Sequence, residues 1–224
     1  MVDLSNVVTD LERWPSGRGV LICGSNHTFC SGGDLSQLEP FLDPVNGGHV
    51  SNYMQDTLTR LFQLPFVTLA VIEGRALGGG AEIACSCDFR AMSTSAMIGF
   101  VQAKLTISPG WGGGSRLVEI LGRTKALRLL ASGAILKSDE AKKIGLADVV
   151  VLDGPPAAEE AQAFLNMITV ECPAAVQAAK KVVVNASKLD VETVLEGERE
   201  IFKSVWGSPT HLQALKGATK RKEK

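Results

Sequence analysis

The spacing of apolar residues divides the chain into segments of different character. Val2, Leu4, Val7, Val8 and Leu11 recur at helical intervals and predict a helix over residues 1–13, ended by Pro15, Gly17 and Gly19. Val20-Leu21-Ile22-Cys23 is a continuous apolar run bounded by glycine, the pattern of a strand buried on both faces. Polar Ser25-Asn26-His27 then opens a loop. Between His49 and Leu64, six apolar residues from Val50 to Phe62 fall on one face, predicting a helix that Pro65 stops. A second buried strand is expected at 66–72, residues 73–77 read as a turn, and Gly78-Gly79-Gly80 opens an apolar helix running toward Cys87.

Downstream, strands are expected over 88–92 and 97–100, and two helices between 112 and 131, broken at Gly122. Ser138 is read as the cap of a short helix that Gly145 closes, and 146–152 returns as a strand. Beyond Pro155 only helices are predicted, over 156–171, 173–187 and 191–206. Strands alternating with helices, then helices alone, imply an α/β core over 1–154 and a helical C-terminal region over 155–224.

Composition narrows the class. A chain of 224 residues, 45% apolar and 21% charged, suits one large folded domain rather than a disordered or fibrous chain. The longest apolar run, 66–72, falls far short of the roughly 20 residues that span a bilayer, and no charged-then-apolar leader stands at Met1, so no membrane partner is expected. The net charge of −1 divides into +4 over the last nine residues and −5 over the rest, which argues against a nucleic-acid partner for the folded body. Five scattered cysteines form no disulfide framework and point to a reducing compartment, the cytosol. Cys85 and Cys87 have no second pair, and His27, His49 and His211 lie apart, so no metal site is expected.

The chemistry is expected where glycine clusters. Gly32-Gly33, in the loop after the first strand, and Gly78-Gly79-Gly80, between a strand and a helix, can each bring bare backbone N–H groups to a ligand. Each cluster alone also reads as a tight turn or a close packing contact. Two such donors aimed at one point form an oxyanion hole, which serves reactions that place charge on a carbonyl oxygen. GxGxxG and the Walker lysine are both absent, which removes the nucleotide-binding readings.

FCSGGDL at 29–35, EGRALGGGAE at 73–82, CDFR at 87–90 and SPGWGGGSRL at 108–117, in this order and spacing, resemble the enoyl-CoA hydratase/isomerase, or crotonase, superfamily. ALGGGAE with CDFR, the P-x-WGG and RLVEI-x-G segments and VWG-x-P at 205–209 resemble its ethylmalonyl-CoA decarboxylase branch. The resemblance implies a crotonase (ClpP-like) spiral of ββα repeats with a helical C-terminal region, assembled as homotrimers or pairs of trimers. Family members carry an N-terminal β-hairpin that finds no counterpart ahead of Met1; a targeting segment lost with it would change the cytosolic expectation.

Residue by residue, the resemblance makes the N–H groups of Gly33 and Gly79 the oxyanion hole for an acyl-CoA thioester. It assigns Cys30, Gly32, Asp34, Leu35, Lys216 and Lys220 to the CoA site, and Gly78, Gly110 and Trp111 to the acyl pocket. CoA belongs to the substrate, and no separate cofactor is implied. Glu82 matches the first acid/base glutamate of the hydratases, whereas the position of the second is Gln102. An amide cannot exchange protons near neutral pH, so hydration should be weak. Decarboxylation of a short branched malonyl-type thioester, ethylmalonyl-CoA or methylmalonyl-CoA, needs no base to form its enolate, and a neutral Gln102 avoids repelling the substrate carboxylate.

Glu82 has two open readings, a proton donor to the enolate or a cap of the helix beginning near Gly79. Trp111 reads equally as pocket wall or core anchor, while Arg75 and Arg116 read as a solvated loop residue and a structural one. Two other functions stay open: an enoyl-CoA hydratase or isomerase using Glu82 alone, and a non-catalytic acyl-CoA binder.

Overall fold

The computed structural model describes residues 1–34, 43–186, 191–206 and 213, and its strands alternate between two sheets. Gly19–Cys23 (β1), Val67–Ile72 (β2), Phe89–Ser93 (β4) and Val149–Val151 (β7) form a parallel sheet in the order β1-β2-β4-β7. Arg75–Leu77 (β3), Met97–Gly99 (β5) and Ile135–Lys137 (β6) form a smaller one, with β3 parallel to β5 and β5 antiparallel to β6. The helices are Val2–Glu12 (α1), Pro44–Gln63 (α2), Gly79–Cys85 (α3), Gly113–Leu121 (α4), Arg123–Ser132 (α5), Ser138–Ile144 (α6), Pro156–Ile168 (α7), Pro173–Ala186 (α8) and Val191–Val205 (α9).

The chain thus winds in ββα turns. β2 in the first sheet leads to β3 in the second and then to α3; β4 and β5 lead in the same way to α4. The turn that starts at β1 reaches the second sheet through a single parallel bridge from Cys30 to Ala76 before α2. This is the spiral of ββα repeats expected from the sequence, followed by the helices α7 to α9.

All six residues of β2 are buried, which explains the continuous apolar run. Ala70 and Ile72 face Met54, Leu58 and Leu61 of α2 and Leu117 of α4 in one core. Val67, Leu69 and Val71 face Ala157, Ala161 and Leu165 of α7 in the other. Burying side chains of this size stabilises by about 1.5–3 kcal/mol each, so β2 anchors both layers. β1 departs from expectation: its residues are only partly buried and Cys23 is exposed, because β1 lies at the edge of the described sheet.

Local signals account for most other differences. Helix α2 begins at Pro44, five residues before the predicted His49, because Asp43 accepts hydrogen bonds from the N–H groups of Val45 and Asn46 and Pro44 suits the first turn. Residues 73–77, read as a turn, contain β3, whose strand character comes from pairing with β5. Ser138 does not cap α6: its hydroxyl donates to the Thr94 carbonyl, and Glu140 reaches back to the Lys137 N–H. Val101–Leu105 forms a 3-10 helix and 135–137 a strand, neither of them predicted.

Candidate active site

Strand pairing brings the two glycine loops together. The Phe29 N–H donates to the Glu73 carbonyl (2.9 Å), the Cys30 N–H to Arg75 (3.0 Å), and the Leu77 N–H returns to Cys30 (3.0 Å). These bonds lay the chain before Gly32 along β3, whose end is the start of α3. A Cβ on Gly80 would stand 2.0 Å from the Cys30 carbonyl oxygen, and one on Gly32 would stand 3.2 Å from the Gly79 nitrogen. Gly32 (φ +99°) and Gly78 (φ +56°) also occupy backbone conformations that side chains disfavour. Gly32 and Gly80 therefore serve close approach of one loop to the other, and Gly33 and Gly79 line one cavity, where neither N–H donates to a carbonyl among the described residues.

Glu82 stands one helical turn into α3, with 2% of its surface exposed. Its carboxylate collects four donors. Gln102 Nε2 (2.8 Å) and the Gly110 N–H (3.3 Å) meet Oε1, while the N–H groups of Trp111 (2.7 Å) and Gly113 (2.9 Å) meet Oε2. Burial pushes its pKa upward and the four donors pull against that, leaving the group above its ordinary value. Glu82 makes no cap bond at the start of α3, so the capping reading is corrected: the carboxylate instead brackets the 110–113 loop. A Cβ on Gly113 would lie 2.4 Å from Glu82 Cγ, so glycine there lets the loop close over the carboxylate.

Gln102 comes from the 3-10 helix and is 7% exposed. Its amide nitrogen is bound to Glu82, whereas Oε1 is buried without a hydrogen-bond partner. Trp111 lies across Gly79: a Cβ there would fall within 2.2–2.8 Å of three indole carbons. The tryptophan lines the cavity and also packs, partly buried, against the core.

A cavity of about 490 Å³ joins these groups, within the usual range for small-molecule sites. Gly32, Gly33, Gly78, Gly79, Glu82, Gln102, Gly110 and Trp111, drawn from widely separated segments, all line it. Cys30 does not line it but holds the loop, its Sγ accepting from the Gly32 N–H (3.4 Å) and its backbone bridging to Ala76. Asp34 is not among the lining residues either, and Leu35, Lys216 and Lys220 lie outside the described residues. Sequence reasoning missed Ser51 and Lys104 in the wall. Ser51 was legible as a polar position on α2; its hydroxyl donates to the Gly110 carbonyl. Lys104 gave no such signal, because its placement follows from the unpredicted 3-10 helix.

Arg75 is exposed on β3, away from the cavity. Arg116 is structural: it donates to the Trp111 carbonyl (3.2 Å) and to Thr59 Oγ1 (3.1 Å), fixing the loop from behind. Cys85 and Cys87 are buried, and burial pushes their thiols up to about 11 and about 12, which suits inert core residues. Among the described residues no three His, Cys, Asp or Glu side chains group as metal ligands, and no helix is long and apolar enough to cross a membrane.

Comparison with known proteins agrees with this geometry. The family model for enoyl-CoA hydratase/isomerase matches residues 1–224. The ethylmalonyl-CoA decarboxylase of Gallus gallus is 41% identical over 217 residues, covering 96% of this chain and 73% of that protein. That of Xenopus laevis is 41% identical over 225 residues, covering 99% and 75%. The solved enoyl-CoA hydratase of Bacillus anthracis superposes with a TM-score of 0.90 at 30% identity, covering 98% of this chain and 85% of that one. With the motifs, the ββα spiral and the family model in agreement over its length, the chain belongs to the enoyl-CoA hydratase/isomerase family, with the crotonase fold.

Proposed function

We propose that the protein is a carbon–carbon lyase that decarboxylates a short branched malonyl-type CoA thioester, ethylmalonyl-CoA or methylmalonyl-CoA, to the saturated acyl-CoA. The observation that carries this reading is the Glu82–Gln102 pair: where the hydratase resemblance calls for two carboxylates, one carboxylate and one amide share a buried hydrogen bond of 2.8 Å at the cavity wall. The relatives named ethylmalonyl-CoA decarboxylase support the same choice.

In the proposed reaction the thioester oxygen accepts the N–H groups of Gly33 and Gly79. The bond between Cα and the substrate carboxylate breaks, carbon dioxide leaves, and the electron pair passes into an enolate whose charge sits on that oxygen. Glu82, held above its ordinary pKa, supplies a proton to Cα and regains one from solvent, so each turnover consumes one proton. Gln102 orients the carboxylate without adding a second negative charge, which at about 4 Å and an effective dielectric of about 20 would cost about 4 kcal/mol. Trp111, lying across Gly79, keeps water from the departing group. The carbon skeleton undergoes no step that needs an external oxidant, so no redox cofactor enters. A trimeric assembly and a cytosolic location complete the proposal.

The test is a paired assay of the purified protein: carbon dioxide release from ethylmalonyl-CoA and methylmalonyl-CoA, beside hydration of crotonyl-CoA. Release with little hydration is the expected result. Hydration alone would overturn the reading in favour of a hydratase working with Glu82, and binding without turnover in a folded protein would favour a non-catalytic thioester binder.

A further inference from the structure

The three backbone N–H groups on Glu82 are not equivalent, and the difference lies on the far side of their peptide groups. The N–H of Trp111 belongs to the peptide whose carbonyl is that of Gly110. That carbonyl accepts from the Ser51 hydroxyl and from Gln55 Nε2 (2.9 Å), two side chains one turn apart on α2. Gln55 Nε2 also meets Ser51 Oγ (3.2 Å), so the hydroxyl that donates to Gly110 is itself bonded. The N–H of Gly113 follows the Gly112 carbonyl, which accepts the Arg116 N–H at 3.3 Å. The N–H of Gly110 follows the Pro109 carbonyl, which accepts no hydrogen bond among the described residues. The bonds to Glu82 lengthen in the same order: 2.7 Å from Trp111, 2.9 Å from Gly113 and 3.3 Å from Gly110.

A peptide group whose oxygen accepts hydrogen bonds is polarised, and its N–H becomes the stronger donor. We propose that Ser51 and Gln55 are positioning residues, which act through the Gly110–Trp111 peptide to fix the strongest donor on Glu82 and thereby set how readily that carboxylate takes a proton. Neither side chain bonds to Glu82 itself. The path runs from α2, across the loop that carries Trp111, to α3, and Ser51 lies in the cavity wall where it does so. A donor strengthened in this way favours the ionised carboxylate and so opposes the effect of burial.

The other charges near Glu82 do not use this path. Arg116 of α4 is close enough for its charge to interact with that of Glu82, and its own charged neighbour is Glu119. Its guanidinium holds the Trp111 carbonyl and Thr59, and touches neither Ser51 nor Gln55. Cys85 of α3 is a buried thiol, Arg90 of β4 is bonded to carbonyls and to Asp148, and Lys104 stands in the cavity wall on the 3-10 helix. Arg75 of β3 is exposed and lies away from the cavity. Substitutions at Ser51 and Gln55 leave all of these in place.

This inference rests on the reading of Glu82 as the proton donor, but its test begins without substrate. In protein labelled with 15N-tryptophan, the backbone amide of Trp111 is the signal missing from Trp111→Phe. Its movement with pH reports the ionisation of Glu82, and the step that disappears in Glu82→Gln identifies the midpoint. Ser51→Ala combined with Gln55→Met should shift the Trp111 amide proton to lower frequency and raise that midpoint by about 0.5 pH unit. Each single substitution should do less, and Ser51→Thr, which keeps the hydroxyl, should retain the wild-type midpoint.

A role confined to holding the loop would lower Tm and leave the midpoint where it was. An unmoved midpoint in the folded double variant therefore overturns the proposal. Should the double variant not fold, the single variants decide, because each retains one donor to Gly110; two unmoved midpoints overturn it equally. Carbon dioxide release separates this from the parent reading. With Glu82 as the acid, the pH above which release declines should rise by the same amount as the midpoint. A midpoint that moves while that limit stays fixed supports the path from α2 and removes Glu82 as the donor, and absence of any release by wild type defeats the decarboxylase reading alone.

Discussion

Two polar clusters, one around Arg90 of β4 and one around Glu82 of α3, are built to opposite specifications. Around Arg90, 3% exposed, every guanidinium nitrogen is bonded: Nε to the Leu146 carbonyl (2.6 Å), Nη1 to the Cys87 carbonyl (3.0 Å), and Nη2 to the Asp148 carboxylate (2.9 Å). Nearby, Asp88 accepts from Thr68 N–H and hydroxyl and pairs with Lys180 of α8. Around Glu82 the carboxylate is held by N–H donors, with no cationic side chain bonded to it among the described residues, and the adjoining amide oxygen is buried without a partner. A closed cluster ties β4, β7 and the C-terminal helices in place, whereas an open one keeps a group whose charge can change. Burial is common to both, so completeness of pairing is what separates framework from site.

The largest expected effect falls on the closed cluster. Arg90→Met should destabilise the protein by about 3–5 kcal/mol, since it leaves Asp148 without its cation and two carbonyls without donors. Denaturant unfolding measures this, and the fraction that remains folded should turn over normally. Loss of activity per folded molecule would mean that the two clusters are coupled.

The oxyanion assignment comes next in size. Gly79→Pro removes a donor and should lower kcat by about 10²–10³. Any side chain here also meets the Trp111 ring, so Gly79→Ala, which keeps the N–H and shares the collision at 2.2 Å, is the necessary reference. The ratio of the two rates isolates the N–H; equal rates would remove Gly79 from the mechanism.

Closing the open cluster by a second carboxylate should have a smaller, more diagnostic effect. Gln102→Glu places two carboxyl groups about where the amide bond now stands at 2.8 Å, and the pair will share a proton. Carbon dioxide release should fall at least about tenfold, because a second negative charge then meets the substrate carboxylate, while crotonyl-CoA hydration rises. An unchanged rate of release would show that the amide has no part in substrate choice.

Legibility in the sequence followed the same division. The β2 run and the faces of α2 announced themselves because one periodic pattern meets one core. The glycine clusters at 32–33 and 78–80 were legible as places where backbone N–H groups can meet a ligand; Gly32, Gly79 and Gly80 are tight contacts in the fold, and the family resemblance supplied the purpose proposed for them. The pairing that joins them was not legible: β3 is three residues long, and the bridge from Cys30 to Ala76 is a single contact, so neither leaves a periodic trace. The bracket on the 110–113 loop was hidden for a related reason. Its donors are backbone N–H groups, which every residue carries, so only the fold reveals that Glu82 gathers three of them.

The smallest predicted effect concerns stability. A carboxyl group whose pKa is raised on folding makes the native state bind more protons than the unfolded one. The raised pKa of Glu82 therefore stabilises fully below its ordinary value of 4.5, and this contribution is lost as pH rises through the folded value. Glu82→Gln leaves the ion pairs of Asp88 with Lys180 and of Asp148 with Arg90 untouched. That substitution should flatten the part of the decline in Tm that begins above 4.5, leaving the acid limb set by the other carboxylates in place. Thermal unfolding of the two proteins across that range measures the difference. Superimposable profiles would mean that the four donors hold Glu82 ionised throughout, and the open cluster would then be a second piece of framework.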